Sequence, residues 1–348
     1  MSVSRRRVVA GLVAAPAIIA SARTGRAEDN GSGVKARQLK ISHQFPGGTA
    51  ETGDFRDRLC RKFAAEVEAR TKGALKFDVY PGSSLMKTVA QFSALRKGAL
   101  DLSLYPLAYA GGEVPEVNIG LMPCLVTSYQ QGLAWKKAPI GKALLAALEK
   151  KGVKVVTWVW QAGGIASRAG AVIEPNDTKG LKIRGGSREM DLMLKEAGAI
   201  ISSVPSNEIY AAMQTGSLDA AVTSSTSLIS FRLDEIAKNL TSSRSGSFWF
   251  MLEPLIMSKD IFDALPAEHQ KVIIAVGQEL ESFGLENAKR DDVLVAEVYA
   301  KAGAKVSEFG AAALEKWRLI AQQSAWKDFA QRNADCARLL SLAEAVTA

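Results

Sequence analysis

The stretch Asp177–Met190 reads "DTKGLKIRGGSREM". It begins with turn chemistry at Asn176-Asp177, continues as a short strand from Leu181 to Arg184, passes two glycines and enters a helix opened by Ser187. A strand feeding directly into a helix is the unit step of an α/β protein. Arg184 falls where the strand ends and the glycines begin, the end at which open α/β sheets hold ligands. A cation there can meet an anionic ligand, or it can bridge internally to Glu208 or Asp219. Gly185-Gly186-Ser187 before a helix N-terminus could also help cradle an anion. The segment has neither a Walker nor a GxGxxG pattern, so a nucleotide is not expected.

The alternation extends in both directions. Strands are expected at Leu39–His43, Leu75–Tyr80, Leu100–Leu104 and, as one long apolar run, Val153–Trp160. Between them lie helices at Phe55–Thr71, Val89–Lys97 and Pro139–Lys151. In the first helix Phe55, Leu59, Phe63 and Val67 recur every fourth position. After Arg184 come a helix from Arg188 to Ala197, a strand from Ile200 to Val204, a helix from Asn207 to Thr215 with Ser206 as its cap, and a strand from Leu218 to Val222. Phe248–Met257 returns as an apolar, strand-like run. Pro266 then sets the first turn of a helix that could continue, with interruptions, to Ala302.

The first residues speak to compartment. Ser4-Arg5-Arg6-Arg7-Val8-Val9 resembles a twin-arginine export signal, followed by an apolar run of 13 residues, Val8–Ala20, too short to span a bilayer. Cleavage is expected after Ala22 or, by preference, after Ala27. Losing residues 1–27 removes Arg5, Arg6, Arg7, Arg23 and Arg26 and no acid, so the formal charge drops from +8 to +3. The basic balance is therefore largely leader, and no basic stripe remains for nucleic acid. The remaining chain of about 320 residues is long enough for roughly two domains. Cys60, Cys124 and Cys336 are widely spaced, which suits buried thiols rather than a disulfide framework. With only His43 and His269 as histidines there is no zinc-like cluster and little material for histidine catalysis.

Five segments together resemble one family, the periplasmic solute receptors of tripartite ATP-independent periplasmic (TRAP) transporters of the DctP type. They are "VYPGSSLMKTVAQFSALRKGALDLSLY", "VPEVNIGLMPCL", "DTKGLKIR", "VPSNEIYAAMQTGSLDAAV" and "MSKDIFDALPAEHQKVI", in the family's order, and the likeness spans about residues 38–305. The resemblance implies a two-lobe periplasmic-binding-protein fold, type II-like, with the ligand cleft between α/β lobes, hinge strands and a long lobe-spanning helix. With the signal peptide read at 1–27 and a flexible segment at 28–37, it implies lobe 1 from 38–161 with 252–291, and lobe 2 from 162–251 with 292–348. It implies a periplasmic monomer that takes an organic anion, needs no cofactor or metal, and hands its ligand to a small and a large membrane subunit. In such receptors the arginine ending the Lys-Ile-Arg segment pairs with a ligand carboxylate, a role that carries over to Arg184. Many members carry a second arginine earlier. Counting back twenty residues from Arg184 reaches Gly164, and the nearest arginine is Arg168, displaced by four, which either contacts ligand or lies at the surface. The family's Asp-Gly-x-Glu-Asn run is replaced here by Asp219-Ala-Ala-Val-Thr223-Ser224-Ser225, so the pocket should differ from those of sialic-acid and four-carbon dicarboxylate receptors.

The rule that ligands sit at strand ends adds further candidates. These are Gln44 and Phe45 after the first strand, Tyr105 after the third, Trp160 and Gln161 at the end of the lobe-crossing strand, and Thr223, Ser224 and Ser225 after the second lobe's last strand. Three consecutive aromatics on a strand must face both ways. Phe248 and Phe250 therefore point to one side and Trp249 to the other, where it can line a cleft. Tyr210, two residues after Glu208, could offer its hydroxyl. A GxSxG elbow and a metal set are both lacking in the sequence, so binding is expected rather than catalysis. A ligand-sensing receptor for a signalling partner, or an exported enzyme on the same scaffold, are the alternatives.

Overall fold

The computed structural model describes residues 36–347. The export signal and its cleavage sites lie outside the described residues. Of the segment expected to be flexible, 28–37, only Ala36 and Arg37 are described, and Arg37 already opens a strand.

Twelve strands form among the described residues: β1 (Arg37–Ser42), β2 (Leu75–Tyr80), β3 (Leu102–Leu104), β4 (Val153–Thr157), β5 (Trp160–Ser167), β6 (Lys182–Arg184), β7 (Ile200–Ile201), β8 (Ala220–Ser224), β9 (Asn239–Ser242), β10 (Phe250–Leu252), β11 (Leu255–Ser258) and β12 (Lys305–Glu308). One sheet has the order β2-β1-β3-β11-β4, and the other β12-β9-β5-β8-β6-β7 with β10 paired to β5. β1 runs parallel to β2 and β3, with Ile41 opposite both Val79 and Leu102. In the second sheet β6 is parallel to β7 and β8, whereas β5 lies antiparallel to β8 and β9. Each sheet is the spine of one lobe.

The run Val153–Trp160, expected as one strand, is divided. β4 ends at Thr157 in the first sheet, and β5 starts at Trp160 in the second, separated by Trp158-Val159. The returning run Phe248–Met257 breaks at Glu253-Pro254, because Pro254 has no N–H for a ladder. The two crossings lie side by side, with Leu252 opposite Trp160 and Leu255 opposite Thr157. They form a two-stranded ribbon between lobes.

Helix Phe55–Arg70 buries Phe55, Leu59, Phe63 and Val67, the expected stripe. It packs on the helix Ala267–Lys301, which is continuous over 35 residues and not interrupted. That long helix touches β4 in lobe 1 and β5, β9, β12 and the helix Ser225–Ser230 in lobe 2, so it ties both lobes together. The end of the segment 292–348, expected with lobe 2, also contacts lobe 1. Helix Ala334–Glu344 buries Cys336, Leu339, Leu340 and Ala343 and packs against helix Pro139–Lys150 and the 3-10 segment Pro115–Leu121 of lobe 1. The strand expected at Ile200–Val204 shortens to Ile200–Ile201. Its last rung is Ser202 N–H to Ile183 O, after which the chain turns toward Pro205. No described helix is long and apolar enough to cross a membrane.

Candidate functional site

Arg184 sits at the carboxyl end of β6 with only 2% of its surface exposed. Its Nε donates to Val204 O at 3.0 Å, one Nη to Val222 O at 2.8 Å and the other to Tyr109 Oη at 2.8 Å. All three partners are neutral. The two carboxylates considered for an internal bridge are elsewhere: Asp219 accepts from Lys182 N–H at 2.9 Å, and Glu208 is exposed. A guanidinium carries five N–H donors, so two are left unengaged by these contacts. The local chain is built for this. Gly186 has φ +99°, and a Cβ there would lie 2.6 Å from an Arg184 Nη. Ser187 caps the following helix by accepting from Met190 N–H at 3.0 Å and donates to Leu121 O at 3.2 Å. The helix N-terminus is thereby fixed beside the guanidinium.

Tyr109, from the 3-10 turn Leu107–Ala110 of lobe 1, was not singled out by the sequence. Its hydroxyl oxygen accepts from Arg184 and also from Ser206 N–H at 3.0 Å. With both lone pairs taken, its hydrogen is left to donate outward. The ring edge of Tyr105 meets Tyr109 at 6.1 Å between centroids, and the Tyr105 hydroxyl has no partner among the described residues. Burial pushes the Tyr105 phenol well up, so it stays protonated. A cavity of about 440 Å³ opens beside these groups, lined by Val89, Ala108 and Tyr109 of lobe 1 and by Leu192, Ile201 and Val204 of lobe 2.

The aromatic triplet divides as strand geometry requires. Phe248 packs on Phe309 and Trp317, and Phe250 on Tyr129. Trp249 lies on the opposite face, with its indole N–H 3.4 Å from Gly185 O. A Cβ at Gly163 would come within 2.5 Å of the Trp249 ring, so glycine is what lets the indole lie flat on β5.

On that same face Gln161 donates through Nε2 to Glu253 Oε2. Glu253, fully buried, also meets Arg56 at 3.4 Å. Arg56 is itself buried, is held in bidentate fashion by Asp54 (2.9 and 2.7 Å), stacks 3.6 Å over Phe45 and reaches across to Ser227 Oγ at 3.0 Å and Ser224 Oγ at 3.4 Å. Two carboxylates thus share one guanidinium. Burial, only partly offset by Arg56, raises the Glu253 carboxyl to about 7. Gln44, at the end of β1, accepts from Thr88 Oγ1 at 3.4 Å, and its Nε2 has no partner among the described residues.

Other candidates lie elsewhere. Arg168 is exposed at the far end of β5, where it donates to Met213 O at 2.7 Å; the cleft end of β5 is its beginning, because β5 runs antiparallel to β8. Trp160 packs edge-on to Trp135 at 5.3 Å inside the lobe 1 core. The Tyr210 hydroxyl donates to Glu235 at 3.0 Å on the outside of lobe 2. Ser224 caps the helix Ser225–Ser230. Ser225 turns to Ser243 at 2.9 Å, beneath the long helix, and Thr223 is buried with its carbonyl against Gly163. Cys60, Cys124 and Cys336 are buried free thiols.

Arg56 and Glu253 had readable signals that went unused. Arg56 sits beside Phe55 on the helix's apolar side, with Cys60 and Phe63 at i+4 and i+7. Glu253 is the only charged residue between Arg244 and Lys259. Tyr109 had no such signal.

Two α/β lobes joined by a strand ribbon, with a cation and polar side chains on strand ends that face each other, define a cleft-binding solute receptor. The family model for bacterial extracellular solute-binding proteins, family 7 (DctP), matches residues 49–333. The chain belongs to this family, whose members are ligand-binding receptors. A solute-binding protein of Albidiferax ferrireducens is 63% identical over 306 residues, covering 88% of this chain and 90% of that one. The crystal structure of a TRAP periplasmic solute binding protein from Rhodoferax ferrireducens, with bound malonate, superposes with a TM-score of 0.87 at 63% identity and covers 88% of this chain and 97% of its own. A TRAP periplasmic solute binding protein from Sulfitobacter with bound β-D-galacturonate, 21% identical, shares the fold with a TM-score of 0.80 over 88% of this chain and 99% of that one. The protein is accordingly a solute-binding receptor of the TRAP type.

Proposed function

We propose that this receptor captures a small organic carboxylate between its lobes, with Arg184 as the anion-binding group, and passes it to TRAP membrane subunits. The observation that carries the reading is the Arg184 guanidinium, buried at a strand end, hydrogen-bonded to neutral groups among the described residues and with two N–H donors to spare. A planar guanidinium grips a carboxylate through two parallel bonds, which an ammonium cannot reproduce. Tyr109 adds a hydroxyl donor, and the start of helix Arg188–Glu196 adds a favourable dipole. Malonate in the relative from Rhodoferax ferrireducens supports a small acid as ligand. Arg184 belongs to lobe 2 and Tyr109 to lobe 1, so a carboxylate bound at both would hold the cleft shut.

Isothermal titration of a ligand identified by thermal shift tests the assignment. Arg184→Ala should cost about 2–5 kcal/mol, roughly 30- to several-thousand-fold in affinity. Arg184→Lys should fall less but still fall. Unchanged affinity in Arg184→Ala would remove Arg184 from the site.

The same proposal includes export by the twin-arginine route into the periplasm, on the strength of Arg5-Arg6 and the apolar run after them. Replacing both with lysine should leave uncleaved precursor in the cytoplasm. Normal periplasmic yield of that variant would exclude this route.

A further inference from the structure

The ribbon between the lobes carries a second polar cluster whose chemistry is opposite to that of Arg184. Trp249, Met251 and Glu253 alternate onto one face of the return crossing, and Gln161 and Gly163 share that face on β5, with Met251 opposite Gln161. The face is the one on which the Trp249 indole reaches Gly185, next to Arg184. Gln161 and Glu253 are 1% and 0% exposed. Gln161 spends its amide N–H on Glu253 Oε2, which Arg56 also approaches. That leaves Gln161 Oε1 and Glu253 Oε1, two acceptor atoms, buried and without a partner among the described residues. An unpaired buried acceptor is costly, so such atoms mark a place where a donor arrives.

We propose that Gln161 and Glu253 form a second pole of the ligand site, an acceptor pair that selects organic acids bearing a hydrogen-bond donor, hydroxyl or ammonium, away from their carboxylate. This rests on the carboxylate reading above and narrows it. Arg184 and Tyr109 supply donors at one end, and Gln161 and Glu253 supply acceptors at the other. A plain alkanoate satisfies only the first set and leaves both acceptors stranded. A second carboxylate brings acceptors to an acceptor pair, and like charge wherever Glu253 is ionised. Arg56 relieves this only in part, since Asp54 shares it in bidentate fashion. Sites built to bond a ligand hydroxyl discriminate strongly against analogues that lack it, for the same reason.

The test is a matched titration series on the full mature chain: butyrate, its 2-, 3- and 4-hydroxy derivatives, 4-aminobutyrate, and malonate. In the wild type at least one hydroxy or amino acid should bind about 10-fold or more tighter than butyrate. Gln161→Met, which keeps the side-chain volume and removes the acceptor, should bring that ratio toward one. Glu253→Gln separates the two donor classes. It should weaken an ammonium ligand at least about 10-fold, because an ammonium draws the Glu253 carboxyl into its ionised form and a glutamine has none, and a hydroxyl ligand less. Arg184→Ala in parallel keeps the layers apart. Loss of all acids in that variant, together with a hydroxy-to-deoxy ratio near one in the wild type, would overturn the acceptor pole and leave the carboxylate reading standing. Retained binding in Arg184→Ala would overturn both. Preference for malonate or for longer alkanoates, with no response to Gln161→Met, would place the ligand's remainder in the apolar cavity beside Tyr109 and also overturn the proposal.

Discussion

At the scale of single residues, the site is decided by where donors and acceptors are left over. Arg184 drew attention through the family motif and its place at a strand end before two glycines, and it lies at that strand end bonded to neutral groups. Trp249 was readable because strand alternation forces the middle of three aromatics away from its neighbours. Tyr109 was not readable: one of six tyrosines, in a short 3-10 turn, it gains its meaning only from two N–H groups distant in sequence, Arg184 and Ser206. Its hydroxyl is saturated as an acceptor, and so it must donate elsewhere. Tyr109→Phe should therefore weaken carboxylate binding by about 1–3 kcal/mol, roughly 5- to 160-fold, because the ligand loses a donor while Arg184 and Ser206 N–H lose their acceptor. It should weaken every acid of a series alike. A selective effect on hydroxy acids alone, measured by titration, would place the hydroxyl at the other pole.

At the scale of elements, the sequence located strands and helices but not where they part company. Continuous apolar character hid the break between β4 and β5, since both halves are buried and a run without alternation carries no mark of a change of sheet. The helix Arg188–Glu196 shows a second such limit. Its amphipathic stripe was evident, yet its first turn also docks on lobe 1. Glu189 there is fully buried, accepts from Asn118 at 3.0 Å and faces Arg332 at 3.5 Å and the neighbouring Arg188. Burial outweighs these contacts and raises its carboxyl from 4.5 to about 7. The folded state therefore holds this proton over a pH range in which the unfolded chain has released it. The contribution of Glu189 to stability is full below about 4.5 and is lost as pH rises through about 7. Urea unfolding at pH 5 and pH 8 should show the wild type losing more stability than Glu189→Gln across that interval, by on the order of 1–3 kcal/mol. Equal losses in the two proteins would show that Glu189 titrates normally in the fold.

At the scale of the whole molecule, bonds cross between lobes on several sides of the cleft. Arg184 meets Tyr109 at its mouth, Arg56 meets Ser224 and Ser227 near the ribbon, and Ser187 meets Leu121 beside the C-terminal helices. Each joins residues far apart in the chain, and none follows a local pattern. The C-terminal helix is a related case. Its apolar stripe required a partner, and either lobe could have supplied one.

The sequence by itself determined the α/β class, the order of most elements and the family. Those rest on periodicity, on glycine and proline punctuation, and on five short segments in order, each of them short-range. Tertiary structure alone decided that Arg168 lies outside the cleft, that Trp160 belongs to a core, that Ser225 faces the long helix, and that Glu253 and Gln161 stand with acceptors unmatched. Whether a polar atom is satisfied depends on what distant segments bring to it, and hydrophobic patterning fixes which face is buried without fixing against what.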